Sequence, residues 1–518
     1  MVLDFANQPL TDFSRTEERD AFRQALQQVE QELGRHYPLI IDGRPVDTDG
    51  RITVINPADP EQVIGTTARA GRAEADAAVE AAEKAFASWS RMDPEARARV
   101  LWKAAAIMRR RRHELSATTV MEIGHSWGEA DAQTAEAIDF LEYYGREMVR
   151  LAQPQPATAR PDEDNALFYI PMGVGLVIPP WNFPLAILVG TVAAPMVAGN
   201  TVIVKPASTT PIVAAKFMEI LAEAGMPPGV VNFLPGPGGE VGEYLVTHPR
   251  IRFINFTGSL EVGLRINELA AKSRPDQPFI KRVAAELGGK NAMIIDSDCD
   301  LDAAVQDAVI SAYGFQGQKC SAASRLIVLN DIYDTFVEKF VAATEAVRQG
   351  PPVDPDNFMG PVADASQFRK VLEYIEIGKQ EGKLLTGGEA FPGAPEKGYF
   401  IKPTVFGDVQ PDARIAQEEI FGPVVAIMRA DTFDHALAMA NSTVYGLTGG
   451  VYSRNRANLE KARREFHVGN LYFNRKITGA LVGAQPFGGF NLSGTNAKAG
   501  GPDYVKLFML AKSVAEKL

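Results

Sequence analysis

From Asn165 to Val204 the chain carries no charged residue, and few folds can accommodate that. A stretch this long could cross a membrane, which takes roughly 20 apolar residues. Here Pro171, Pro179, Pro180, Pro184 and Pro195 interrupt it, and Asn182 stands in its middle. In lipid the Pro179-Pro180 pair would leave backbone groups without partners. The segment reads instead as a fully buried strand, a turn, a buried helix and a second strand. That pattern belongs to a parallel sheet covered on both faces, inside an α/β core.

The flanking sequence extends this pattern. Residues 14–34 have the spacing of an amphipathic helix, and PLIIDGRPVDTDGRITVINP that of a small hairpin. Three long helical patterns follow, around 72–90, 93–123 and 127–151. From residue 173 short β-rich runs (GVGLVI, TVIVK, VVNFL, RFINFTG) alternate with helical segments, which predicts a doubly wound parallel sheet. A second alternating series starts at KNAMIID (290–296), so a domain boundary is expected near Gly288-Gly289. A chain of 518 residues has room for two or three cores. Residues 146–165 are Pro-rich and read as extended, and the last 25 or so as a strand and tail; neither has a core of its own. With 46% hydrophobic and 23% charged residues, disorder is excluded. A net charge of −11 argues against a nucleic-acid partner. Two cysteines cannot frame a disulfide scaffold, and MVLDFANQPLTDF lacks the apolar core of a signal peptide, so a cytoplasmic location is expected.

Several short motifs can carry chemistry. PGPGGEVG places Gly236, Gly238 and Gly242 between a strand and a helix. The spacing misses the dinucleotide fingerprint by one residue, and a plain glycine-rich turn accounts for it equally. In FTGS, Gly258 permits close approach, and Ser259 can cap a helix or donate to a pyrophosphate. Lys205 ends a buried strand, where a charge needs either a cofactor ribose or an ion pair. Cys320, in GFQGQKCSAAS, is either a small buried hydrophobe or a nucleophile, and the nearby glycines and polar Lys319 and Ser321 favour the second. Cys299 lies among acids that would keep a thiol protonated. Glu286, before two glycines and after apolar residues, is a turn residue or a desolvated general base. The six histidines show no ligand spacing, so no metal site is expected.

Taken in order, PWNFP (180–184), VKPA (204–207), FTGS (256–259), ELGGK (286–290), GQKCSAAS (317–324), EEIFGP (418–423) and QPFGG (485–489) resemble the aldehyde dehydrogenase superfamily over nearly the full length. The resemblance implies that family's α/β fold, with two doubly wound parallel-sheet domains and a small β oligomerisation arm. It assigns residues 1–145 and 166–287 to an NAD(P)-binding domain, 288–490 to a catalytic domain, and 146–165 with 491–518 to the arm. It makes Cys320 the nucleophile, Glu286 the base that activates water, and Asn182 the side-chain oxyanion donor. Around an NAD cofactor, with NADP also admitted, it places Ile178, Pro179, Trp181, Lys205, Ser208, Gly238, Gly242, Gly258, Ser259, Val262, Leu287, Glu419 and Phe421. Many NAD-specific members have a glutamate where this chain has Ser208, so strict NAD selectivity is not implied.

Within the superfamily, LYFNRKITGALVGAQPFGG (471–489) and GFQGQKCSAASR are most similar to members that oxidise L-glutamate γ-semialdehyde in proline catabolism. That similarity implies backbone donors at Gly479 and Ala480 and a hydroxyl at Ser321 for the substrate α-carboxylate. Phe183 and Phe487 would hold the carbon stem, and Glu136 would meet the α-ammonium unless it is a solvated helix residue. A homo-oligomer built from dimers is implied, with a small molecule and neither membrane nor nucleic acid as partner. Rival readings are an enzyme for another ω-semialdehyde and a silent scaffold on the same fold.

Overall fold

A computed structural model describes residues 4–394 and 396–518, which leaves the first three residues of the N-terminal stretch outside it. Two seven-stranded sheets form its frame. In the first, the strands Arg282–Glu286, Phe253–Thr257, Val174–Ile178, Thr201–Val204 and Val231–Phe233 run parallel in that spatial order. In the second, Thr404–Gly407, Val424–Ala430, Ala323–Leu329, Asn291–Ile295, Thr448–Tyr452 and Asn470–Phe473 are parallel, and Lys383–Thr386 pairs antiparallel at the edge. Strand–helix alternation produces this, because each crossover helix must bury its apolar face on the sheet it leaves.

Most of the uncharged stretch is the centre of the first sheet. Val174–Ile178 and Thr201–Val204 are buried at every position, as is nearly all of the helix Ala186–Val197 between them. Its first seven residues differ from the expectation. They belong to the strand Glu163–Pro171, which alternates between exposed and half-buried and pairs antiparallel with Met509–Lys517.

Other boundaries also depart from the sequence reading. The pattern at 93–123 is two helices, Pro94–Arg110 and Arg112–Ile123, because Arg111 leaves helical geometry at φ −96, ψ 17. The expected hairpin is divided: Leu39–Ile41 and Arg44–Val46 join the first sheet, while Arg51–Asn56 joins a separate three-stranded sheet. Residues 146–151 complete the helix Trp127–Leu151 rather than extend. Residues 491–508 do not stand off as an arm. Ala497, Tyr504, Val505, Phe508 and Met509 are buried in the main core, Leu510 packs against it, and only residues 511–517 project, paired with 163–169.

The site follows from the way the sheets face each other. Trp181, Lys205, Gly258 and Glu286 lie at or just past the C-terminal ends of first-sheet strands, where open α/β sheets bind ligands. Lys290, Cys320 and Glu419 lie just before strands of the second sheet. The cleft is the seam between those two sets of ends.

Candidate active site

Strain in one loop sets the position of Cys320. After the helix Leu301–Tyr313, three successive residues are left-handed: Phe315 (φ 50), Gln316 (φ 55) and Gly317 (φ 67). A non-glycine residue there costs roughly 1–2 kcal/mol. The cost is offset locally. Phe315 is buried edge-on against the His125 ring, with centroids 3.7 Å apart, and Gln316 donates to the Gly124 carbonyl at 3.2 Å. At Gly317 any Cβ would collide with the Gly422 carbonyl, so the nucleophile loop touches the EEIFGP loop directly.

Hydrogen bonds then fix the loop. Asn291 donates to the carbonyls of Cys320 (2.7 Å) and Ala322 (2.8 Å). Asn182 donates to the Gln318 carbonyl at 2.9 Å, which aims its amide toward Cys320 and leaves its second N–H available. The backbone of Asn182 is held in turn by His125, whose Nε2 lies 3.1 Å from the Asn182 carbonyl, while Gln133 reaches His125 Nδ1 at 3.1 Å. Burial holds this ring neutral, down to about 3, so Nε2 carries the proton and Nδ1 accepts. Sequence reading missed His125, Gln133 and Asn291, whose partners lie far along the chain.

The electrostatics around the thiol run opposite to the sequence expectation. Lys319 does not activate Cys320; it pairs with Glu129 at 2.8 Å. Burial, then the charges of Glu286 and Glu419, push the Cys320 thiol well above its ordinary value. Glu286 is itself pushed up to about 8 by burial, with Lys498 and the nearby Gly489 N–H opposing, and neither carboxylate oxygen has a partner at full hydrogen-bond geometry. A protonated thiol thus faces a carboxyl group able to exchange a proton near neutrality. At Cys299 burial and then Asp296 raise the thiol to about 11.

Two cavities converge on Cys320. The larger, about 570 Å³, is lined by Ile178, Pro179, Trp181, Asn182, Lys205, Gly238, Gly242, Gly258, Ser259, Val262, Leu287, Glu419 and Phe421. Ser208 is not among them; it is exposed beyond the rim, one residue past Ala207. Lys205 donates only to the carbonyls of Pro206 (3.2 Å) and Gly236 (3.1 Å). Among the described residues no carboxylate pairs with it, and burial draws it down to about 8. Ser259 caps the helix Leu260–Ala271, and the glycines form a wide π-helical turn, Gly238–Gly242, in which the Gly242 N–H reaches the Pro237 carbonyl at 3.3 Å. Glu419 is held by the Gly289 N–H at 2.9 Å, and a side chain at Gly288 would strike its carboxylate. A cationic amine, a helix N-terminus, a carboxylate and the edge-on Trp181–Phe421 pair fit the ribose, phosphate and ring groups of a dinucleotide.

The smaller cavity, about 160 Å³, brings together Glu136, Glu286, Phe183, Ser321, Gly479, Ala480 and Phe487. Gly479 is left-handed at φ 75, a conformation from which successive N–H groups cradle an anion. Burial and then Asp139 push Glu136 up to about 8. Glu129, Lys319 and Gln133 also line this space and were not anticipated. The cavity is smaller than the roughly 300–1,000 Å³ typical of drug-sized sites, so it suits a short-chain metabolite.

A family model described as the aldehyde dehydrogenase family matches residues 45–514. The chain is 59% identical over 516 residues to the 1-pyrroline-5-carboxylate dehydrogenase of Geobacillus thermodenitrificans, covering 100% of both. It is 54% identical over 516 residues to the enzyme of that name from Bacillus subtilis, again covering 100% of both. A solved structure of 1-pyrroline-5-carboxylate dehydrogenase from Thermus with bound NAD superposes with a TM-score of 0.98 at 58% identity, covering 100% of each chain.

Proposed function

The chain belongs to the aldehyde dehydrogenase family, and on that footing we propose that it oxidises L-glutamate γ-semialdehyde, the open form of 1-pyrroline-5-carboxylate, to L-glutamate with NAD. One observation carries the substrate assignment. The small cavity that opens on Cys320 combines an anion-binding loop at Gly479 and Ala480, the Ser321 hydroxyl and an acid at Glu136. An α-amino acid offers the complementary carboxylate and ammonium, and Phe183 and Phe487 flank the stem between them.

The chemistry follows from the site. Cys320, its thiol proton lost to solvent, attacks the aldehyde carbon as the thiolate, forming a C–S bond while the C=O π pair moves to oxygen; the oxyanion is met by the Asn182 amide and the Cys320 N–H, and a donor of this kind contributes roughly 10²–10³ in rate. Lys205, Ser259, Glu419 and Phe421 would hold NAD, which when bound would supply the hydride acceptor and a positive charge that favours thiolate over thiol. Loss of hydride leaves a thioester on Cys320. Glu286 then takes a proton from water as the oxygen attacks that carbonyl, the C–S bond breaks, and the acid departs.

In the same reading, the first sheet with its N-terminal helices holds the cofactor and the second carries the nucleophile. Ser208, beyond the cavity rim, places no carboxylate there to repel a 2′-phosphate, so NADP is accepted beside NAD. The projecting strand pair Glu163–Pro171 and Met509–Lys517 is the surface on which dimers, and larger homo-oligomers, form. Cysteine usage favours the cytoplasm.

The test is NADH release with pyrroline carboxylate, beside succinate semialdehyde and propanal. The proposal expects kcat/KM highest for pyrroline carboxylate by at least about tenfold, the value of one hydrogen bond to a charged group. Preference for succinate semialdehyde would assign another ω-semialdehyde, and no turnover of any of the three would make the fold a scaffold.

A further inference from the structure

The segment 491–508 is built around Glu286. It runs beside the strand that carries the base: Leu287 donates to the Ser493 carbonyl at 2.9 Å, Thr495 donates to the Ala285 carbonyl at 2.9 Å, and Glu286 and Gly494 form an isolated antiparallel bridge. The segment then enters a left-handed turn at Lys498 (φ 57), and the side chain reaches back under the QPFGG loop. Its ammonium donates to the carbonyls of Gly469 (2.5 Å) and Gly488 (3.0 Å) and approaches Asn470 Oδ1 at 3.4 Å. Gly488 lies between Lys498 and the base. A Cβ placed there would be 2.8 Å from the Lys498 N and 3.3 Å from Glu286 Oε2, so only hydrogen separates the strap from the carboxylate. No carboxylate of the described residues forms an ion pair with Lys498, and burial draws its ammonium down while the Glu286 charge opposes that.

We infer that Lys498 is a positioning residue for the base: it holds the Gly488 floor of the Glu286 pocket and supplies the one positive charge that favours the ionised carboxylate. Cys320 and Tyr504 also face Glu286 and neither is cationic; across the same cavity stand Glu136 and Lys319, and the Lys319 charge is taken up by Glu129 at 2.8 Å. The inference rests on Glu286 acting in thioester hydrolysis.

The experiment isolates that step without cofactor. An activated acetyl ester acylates Cys320 in the full-length protein, and intact mass spectrometry follows decay of the acetyl-enzyme over a pH series. In Lys498→Met the acidic limb of the decay should move upward by about one pH unit, equivalent to a tenfold loss on the limb. Lys498→Arg should return it to the wild-type position. Should Lys498→Met fail to fold, Asn470→Asp places a neutralising carboxylate beside the ammonium and should move the limb in the same direction. A uniform loss at every pH, or an Arg variant shifted as far as Met, overturns the inference. Glu286→Gln in the same series separates it from its premise. If that variant lacks the limb, an unmoved limb in Lys498→Met refutes only the role of Lys498; if it keeps the limb, both readings fall.

Discussion

At the scale of residues, burial favours the protonated forms of both the thiol and its base, so each must shed a proton before it acts. Glu286, pushed up to about 8 by burial, must lose its proton to act as a base, so turnover should rise as pH passes through about 8. Glu286→Gln keeps the volume and removes the acceptor. Stopped-flow absorbance should record a burst of one NADH per site, then steady turnover slowed by roughly 10²–10⁴. A missing burst would place Glu286 in activating Cys320 instead. Much of this site could be read from sequence, because Cys320, Glu286 and Asn182 each stand in a short motif with its own local backbone. The relay from Gln133 through His125 to Asn182 could not, since it joins residues 8 and 57 positions apart that no motif spans. Nor could the Lys319–Glu129 pair, which turned an expected activating cation into a partner for a distant acid.

Among elements, alternation of β-rich and helical periods was enough to predict parallel sheets, because the central strands of the first sheet, Val174–Ile178, Thr201–Val204 and Val231–Phe233, are buried at every position and say so in their composition. Boundaries decided by side-chain ionic contacts were not visible. Arg111, which breaks the expected long helix, binds Glu114 and Glu219, and Lys216 joins Glu114 at 3.0 Å and Glu32 at 2.7 Å. The helices Thr16–Gln31, Arg112–Ile123 and Pro211–Ala224 are thereby tied by one nearly buried ammonium. Lys216→Met should cost roughly 2–4 kcal/mol, somewhat below the full cost of breaking a buried pair because Arg111 remains. Burial would raise Glu114, but Arg111 and Lys216 outweigh it and hold it at about 2, below the ordinary 4.5. Its stabilisation is therefore complete above 4.5 and disappears as pH falls toward 2. Urea midpoints of wild type and variant should differ clearly at pH 6 and converge toward pH 3; a constant gap would show that charge is not what Lys216 contributes.

For the whole molecule, the exposed feature is the ribbon of Glu163–Pro171 and Met509–Lys517, in register over nine residue pairs. Two strands alone are marginal in water, and their free edges invite another chain. Truncation after Leu510, which keeps Met509 in the core and removes the projecting part of the ribbon, should reduce light-scattering mass to that of one chain while the fold persists. Assembly unchanged by that truncation would show that the subunits meet elsewhere. The two cavities share only Thr257 and Cys320 in their linings, so the sulfur stands at their common wall. On the proposed reading the nucleotide and the acyl chain occupy separate chambers that meet only at that wall. A crowding acid product then competes with incoming aldehyde but does not queue with the nucleotide.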